Sequence, residues 1–140
     1  MKKYLFGGTG TGNAAGDVAL AILRIAAGFL MIYLHGWEKL QNPSKFIKGV
    51  AGMEFPIPAV MGWSAILAET FFSLLLILGL ATRFSALTLM GTMFTAALVV
   101  HAADPMSKKE LGLIYAFICL LFVVIGAGRF SVDRLISNGK

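Results

Sequence analysis

Cysteine is almost missing from this chain: Cys119 is the only one. A single thiol excludes an intrachain disulfide, a Cys-x-x-Cys redox pair and a thiolate metal cage. Flanked by apolar residues, it reads as a small core side chain. Charge is scarce too. Asp, Glu, Lys and Arg make up 14% of the 140 residues, against about a quarter in soluble domains. The 12 Lys and Arg outweigh 7 Asp and Glu, for a net charge of +5. They are scattered, with no dense stripe and no interleaved aromatics, which argues against a nucleic-acid partner. Basic residues flanking membrane spans, beside anionic headgroups, are the better reading. The glycines of residues 7–16 are neither preceded by a strand nor followed by Gly-Lys-Ser/Thr, so they make no phosphate loop. There is no Ser-His-Asp arrangement and no dinucleotide fingerprint. Nothing in the chain carries electrons by itself.

What is abundant is apolar sequence. Hydrophobic residues are 58% of the chain and the mean hydropathy is +0.82. A 15.0 kDa protein has too little interior to hide that much apolar surface from water, so lipid is the expected solvent. Four membrane-length runs stand out: Val18 to Leu34, Ala59 to Ala81, Phe84 to Val100 and Leu111 to Ala127. Each is close to the length that crosses a hydrocarbon core of about 30 Å. The predicted fold is all-α: a bundle of four transmembrane helices running up-down-up-down over residues 17–136. Residues 1–16 are expected to be a flexible tail, with Asp17 as a possible N-cap. Tyr4-Leu5-Phe6 is too short for the core of a cleavable signal, so the first span is read as an uncleaved anchor. The long loop at 41–58 opens on Asn42-Pro43-Ser44. Its interleaved Phe46, Ile47, Val50, Lys45 and Lys48 predict a short helix on the membrane surface.

At 100° per residue, Arg24, Gly28, Met31 and His35 share one stripe of the first helix, and Glu38 joins it if the helix continues. Gly28 would let a neighbouring helix approach. Glu69 lies near the middle of the second span, where a charge costs roughly 2.5–3.5 kcal/mol on insertion scales. Arg24, about one turn away in depth, is its expected partner, either as a structural ion pair or as part of a proton or quinone-headgroup site. His35 and His101 end the first and third spans and should reach the same surface. Each is followed three residues later by an acid, Glu38 and Asp104. These four are candidate ligands for zinc or iron. A haem between the two imidazoles, loop-capping hydrogen bonds, and a quinone or small-substrate pocket walled by Trp37 are the other readings. On the third span Ser85, Thr88, Thr92 and Thr95 form a hydroxyl stripe; on the fourth, Gly112, Tyr115, Cys119, Phe122 and Gly126 form a seam.

Leu23-Arg24 followed by His35-Gly36-Trp37-Glu38-Lys39-Leu40 resembles the opening of the DoxX family. Glu69, the turn Gly79-Leu80-Ala81-Thr82-Arg83, and Gly126-Ala127-Gly128-Arg129-Phe130-Ser131-Val132-Asp133 resemble its later motifs. The resemblance implies a small four-helix membrane protein. It also implies a connection to redox chemistry, since the family takes its name from a subunit of a thiosulfate:quinone oxidoreductase. The binding candidates are Arg24, His35, Trp37, Glu38, Glu69 and His101. The expected role is a subunit or partner of an oxidoreductase handling quinone or a small reductant. A non-catalytic membrane anchor and a small transporter are the alternatives. Expected partners are the lipid bilayer, a membrane or soluble redox protein, and a second copy of the chain; no nucleic acid is expected. An even number of spans puts both ends on one side, and the basic turn at Arg83 tips that side toward the cytoplasm of an inner membrane.

Overall fold

The computed structural model describes residues 10–138; the reading of residues 1–9 as a tail lies outside them. The described chain is helical, with no strand among the described residues. Helix α1 spans Ala14–Gln41 and begins three residues before the expected Asp17. Asn13 is its N-cap, the side-chain oxygen accepting from Gly16 N at 2.6 Å. Asp17 is instead buried inside the first turn and accepts the Thr11 amide at 2.7 Å. Proline opens each of the next two helices, as its fixed φ and missing N–H favour: α2 is Pro43–Ala51 and α3 is Pro58–Leu78. Helix α4 spans Thr82–Val100, α5 Met106–Ile125 and α6 Val132–Asn138.

Three of these, α1, α3 and α4, are long and apolar enough to cross a membrane. Helix α5 has the length, at 20 residues, but Lys108, Lys109 and Glu110 occupy its first turns. The long helices are apolar on nearly every face. Tyr33, Ile22, Phe117 and Val124 are more than half exposed, as expected of helices whose outer faces meet lipid.

The core runs through the middle of α1, α3, α4 and α5. Met31, Leu76, Leu89 and Phe122 are its fully buried large side chains. The expected seam of α5 is present: Tyr115, Cys119 and Phe122 are all buried, and α5 packs mainly on α4. Helix α3 packs against two glycines of α1. A Cβ on Gly28 would sit 2.8 Å from the Ser73 carbonyl oxygen, and one on Gly36 only 2.5 Å from that of Glu69. Both positions therefore need glycine for backbones to meet.

Three π-helical turns interrupt the long helices, at Ile32–Gly36, Ala68–Phe72 and Ala96–Val100. A π turn adds one residue to a helical repeat, and such turns are often found at functional sites. The first two pack against each other. The first turn shifts the phase of everything that follows on α1 by one residue.

Candidate functional site

Glu69 sits within the second π turn with its side chain 3% exposed. Its partner is not Arg24. Lys39 Nζ donates to both carboxylate oxygens, at 2.5 and 2.6 Å. The helical wheel put Glu38 on the buried stripe of α1. The π turn at Ile32–Gly36 inserts one residue of phase, so Lys39 takes that place and Glu38 turns outward to solvent. Lys39 also lies 4.7 Å from the centroid of the Phe46 ring, a cation–π contact. One ammonium thus ties α1 to both α3 and α2.

Arg24 is committed elsewhere. Buried at 2% exposure, its guanidinium donates to the Ala127 carbonyl and to that of Phe130 at 2.7 Å. It meets the segment 126–133, not the middle of α3. Asp133 closes the same end of the molecule. Its carboxylate accepts the Ala81 and Thr82 amides at 2.8 and 2.9 Å, and its own N–H donates to the Gly79 carbonyl at 2.9 Å. Asp133 thereby caps the N-terminus of α4. It also holds Ala81 in a left-handed conformation, φ +46°, that alanine adopts only under constraint. Arg24 and Asp133 are structural fixings at the end of the bundle opposite to Glu69's partner Lys39.

A cavity of about 560 Å³ opens between α3 and α4, with α2 and the loop after it along one side. Its titratable lining is Lys39, Glu69 and His101; hydroxyls come from Ser64, Thr88, Thr92 and Thr95. Aromatic and aliphatic walls come from Phe46, Phe55, Met61 and Leu87. Leu87, Met61 and Gly91 are exposed on the outer face of the bundle, so the cavity is a lateral groove. Much of the hydroxyl stripe predicted on α4 lines it. Thr88 and Thr92 hydroxyls donate to carbonyls one turn back, at 3.0 and 3.1 Å, leaving their oxygens to accept. Ser85 is buried outside this lining.

His101 follows α4, and its Nδ1 lies 2.7 Å from Asp104 Oδ2. That bond, first among several causes, holds the Asp104 carboxyl below the usual carboxylate range, and Lys108 adds to it. An ionised Asp104 only accepts, so Nδ1 carries the proton and Nε2 is left for another partner. His35, in the first π turn, does not line the groove. Its ring meets Tyr115 edge-on at 6.1 Å, with Nε2 buried and without a hydrogen-bond partner. Trp37 is exposed at 53% and does not wall the groove either. Glu38 lines a separate, smaller hollow with Lys39, Asn42 and Lys45. Of the four residues considered as metal ligands, His101 and Asp104 are together, while His35 and Glu38 face Tyr115 and the hollow. Among the described residues no three His, Cys, Asp or Glu side chains gather to hold an ion.

The structure therefore brings Glu69 and His101 into one groove and adds Lys39, which the sequence reading passed over. The available signals for Lys39 were its place in the motif His35-Gly36-Trp37-Glu38-Lys39-Leu40 and its position one residue past the stripe; the π turn that gives it that role leaves no mark in the periodicity.

A protein-family model described as DoxX matches residues 19–102, a span that holds most of α1, all of α2 to α4 and the titratable lining of the groove. A protein of Haemophilus influenzae described as uncharacterized is 33% identical over 146 residues, covering 99% of this chain and 93% of its own length. A second uncharacterized protein of the same organism is 36% identical over 123 residues, covering 82% and 88%. No solved structure matches. The extent of the family match, across apolar helices of membrane-crossing length, settles the family: the chain belongs to the DoxX membrane proteins.

Proposed function

We propose that this protein is an inner-membrane bundle of four crossing helices, α1, α3, α4 and α5, running up-down-up-down with its ends in the cytoplasm. It serves a redox system by holding a quinone or small reductant in the groove between α3 and α4. The observation that carries this reading is the groove itself. Its apolar walls open toward lipid, and its polar groups are few and convergent, as in small-molecule sites generally. Electrons would come from a partner oxidoreductase, since this chain's side chains supply no carrier.

The chemistry of the lining suits a ring with two oxygens. The Lys39 ammonium has three N–H donors, of which two lie on Glu69. The third is left for a carbonyl. At the His101 end, Nε2 accepts from a hydroxyl when the imidazole is neutral and donates to a carbonyl when it is protonated. An oxidised and a reduced ring each find a partner there. Phe46 and Phe55 offer ring faces.

The test is binding of a quinone analogue to purified protein, with the absorption spectrum and extracted lipids of the same preparation. His101→Ala should weaken binding by about 0.5–1.5 kcal/mol, the usual net worth of one hydrogen bond, since the His101 side chain is partly exposed. His35→Ala, outside the groove, should change it little. If the parent binds no analogue, or His101→Ala binds as the parent does, the quinone reading is wrong and the anchor reading replaces it.

A further inference from the structure

The groove and the smaller hollow meet at one charged side chain. The hollow, about 290 Å³, is lined by the polar Glu38, Lys39, Asn42 and Lys45 and by the apolar Phe46, Val50 and Met53. Glu38, Asn42 and Lys45 are exposed, so water reaches it. Phe46, Val50 and Met53 line both spaces and form the partition between them. Lys39 is, among the described residues, the one charged group common to both linings. Its side chain is 25% exposed, whereas that of Glu69 is 3% exposed and faces only the groove.

We propose that the Lys39–Glu69 pair is a proton-exchange site, loaded from the aqueous hollow and presented to the ligand groove. A proton from water is added to a Glu69 carboxylate oxygen while Lys39 stays an ammonium. The pair's net charge then rises by one. The groups around Glu69 allow this. From α1 come Lys39 itself and, on the hollow, Glu38; from α2, Lys45 on the hollow. Helix α4 offers the hydroxyls of Thr88 and Thr92, with His101 just beyond it, and α5 lends no residue to either lining. Among the described residues Lys39 is thus the single close counter-charge. A ligand that draws the ammonium toward itself leaves a buried carboxylate unpaired, and such a group is neutralised by taking a proton. Occupancy of the groove and proton uptake are coupled through one side chain.

Two glycines make the proposal testable without disturbing the core. Gly49 lines the hollow and Gly91 the groove, and an added Cβ meets nothing within 4 Å at either. The ligand part rests on the groove reading; the proton exchange is measured on the protein alone. The full chain in detergent is stepped in pH while the infrared carboxylic C=O band is followed. We expect a band that grows as pH falls and is missing in Glu69→Gln. Gly49→Leu, which fills the hollow, should slow its appearance about tenfold, equivalent to some 1.4 kcal/mol of barrier. Gly91→Leu should leave that rate alone and block the quinone analogue. No band that Glu69→Gln removes, or an unchanged rate in Gly49→Leu, overturns the exchange site. A titrating band in a parent that binds no analogue supports the exchange site and sinks the quinone reading. Analogue binding without such a band does the opposite.

Discussion

Removing either member of a buried ion pair strands the other, at a typical loss of about 3–5 kcal/mol. Lys39, with a quarter of its side chain exposed, keeps some access to water. Glu69→Gln and Lys39→Met are therefore expected to lower stability in detergent by roughly 3 kcal/mol or somewhat less, with the double variant recovering part of the loss. Denaturation of the four proteins of this cycle measures the coupling, and strictly additive losses would show that the pair contributes nothing as a pair. Glu69 was legible in the sequence because a carboxylate in the middle of an apolar run is conspicuous on energetic grounds alone. Its partner was not legible. A wheel drawn at a constant 100° favours Arg24 and Glu38, and only the inserted residue of the π turn brings Lys39 round.

At the scale of elements, run length and hydropathy locate every long helix to within a few residues at most ends. The short helix α2 announces itself through Asn42-Pro43 and through Lys45 and Lys48 interleaved with Phe46, Ile47 and Val50. What length does not show is how the ends are held. Ala81 and Thr82 give no hint that their amides are capped by Asp133, a residue far along the chain. Loss of an N-cap acceptor typically destabilises by about 0.5–2 kcal/mol, and here the cap also braces a left-handed alanine. Asp133→Ala should lie at or above the top of that range in thermal unfolding. Asp133→Asn, which keeps one acceptor oxygen, should lose less. Equal stability of Asp133→Ala and the parent would show that the turn holds itself.

For the molecule as a whole, the proposed four-crossing arrangement predicts alternation. Reporters fused after Asn42, Arg83, Pro105 and Asn138 should report opposite sides in turn, with the Arg83 and Asn138 fusions retained in the cytoplasm. Fusions after Arg83 and Pro105 on the same side would show that α5 does not cross. The groove belongs to this scale as well, and for that reason it was not legible beforehand. Periodicity gives Thr88 and Thr92 a face and run length gives Glu69 a depth, but the space between α3 and α4 depends on how α2 leans on them. The fixing of Arg24 has a consequence in time. Its carbonyl acceptors lie 103 and 106 positions later in the chain. During synthesis α1 enters the bilayer carrying a guanidinium whose final partners do not yet exist. Closure of so long a loop is intrinsically slow. Helix α1 is thus secured only after residues 127–130 are made, and a chain lacking them leaves the Arg24 guanidinium without these two acceptors.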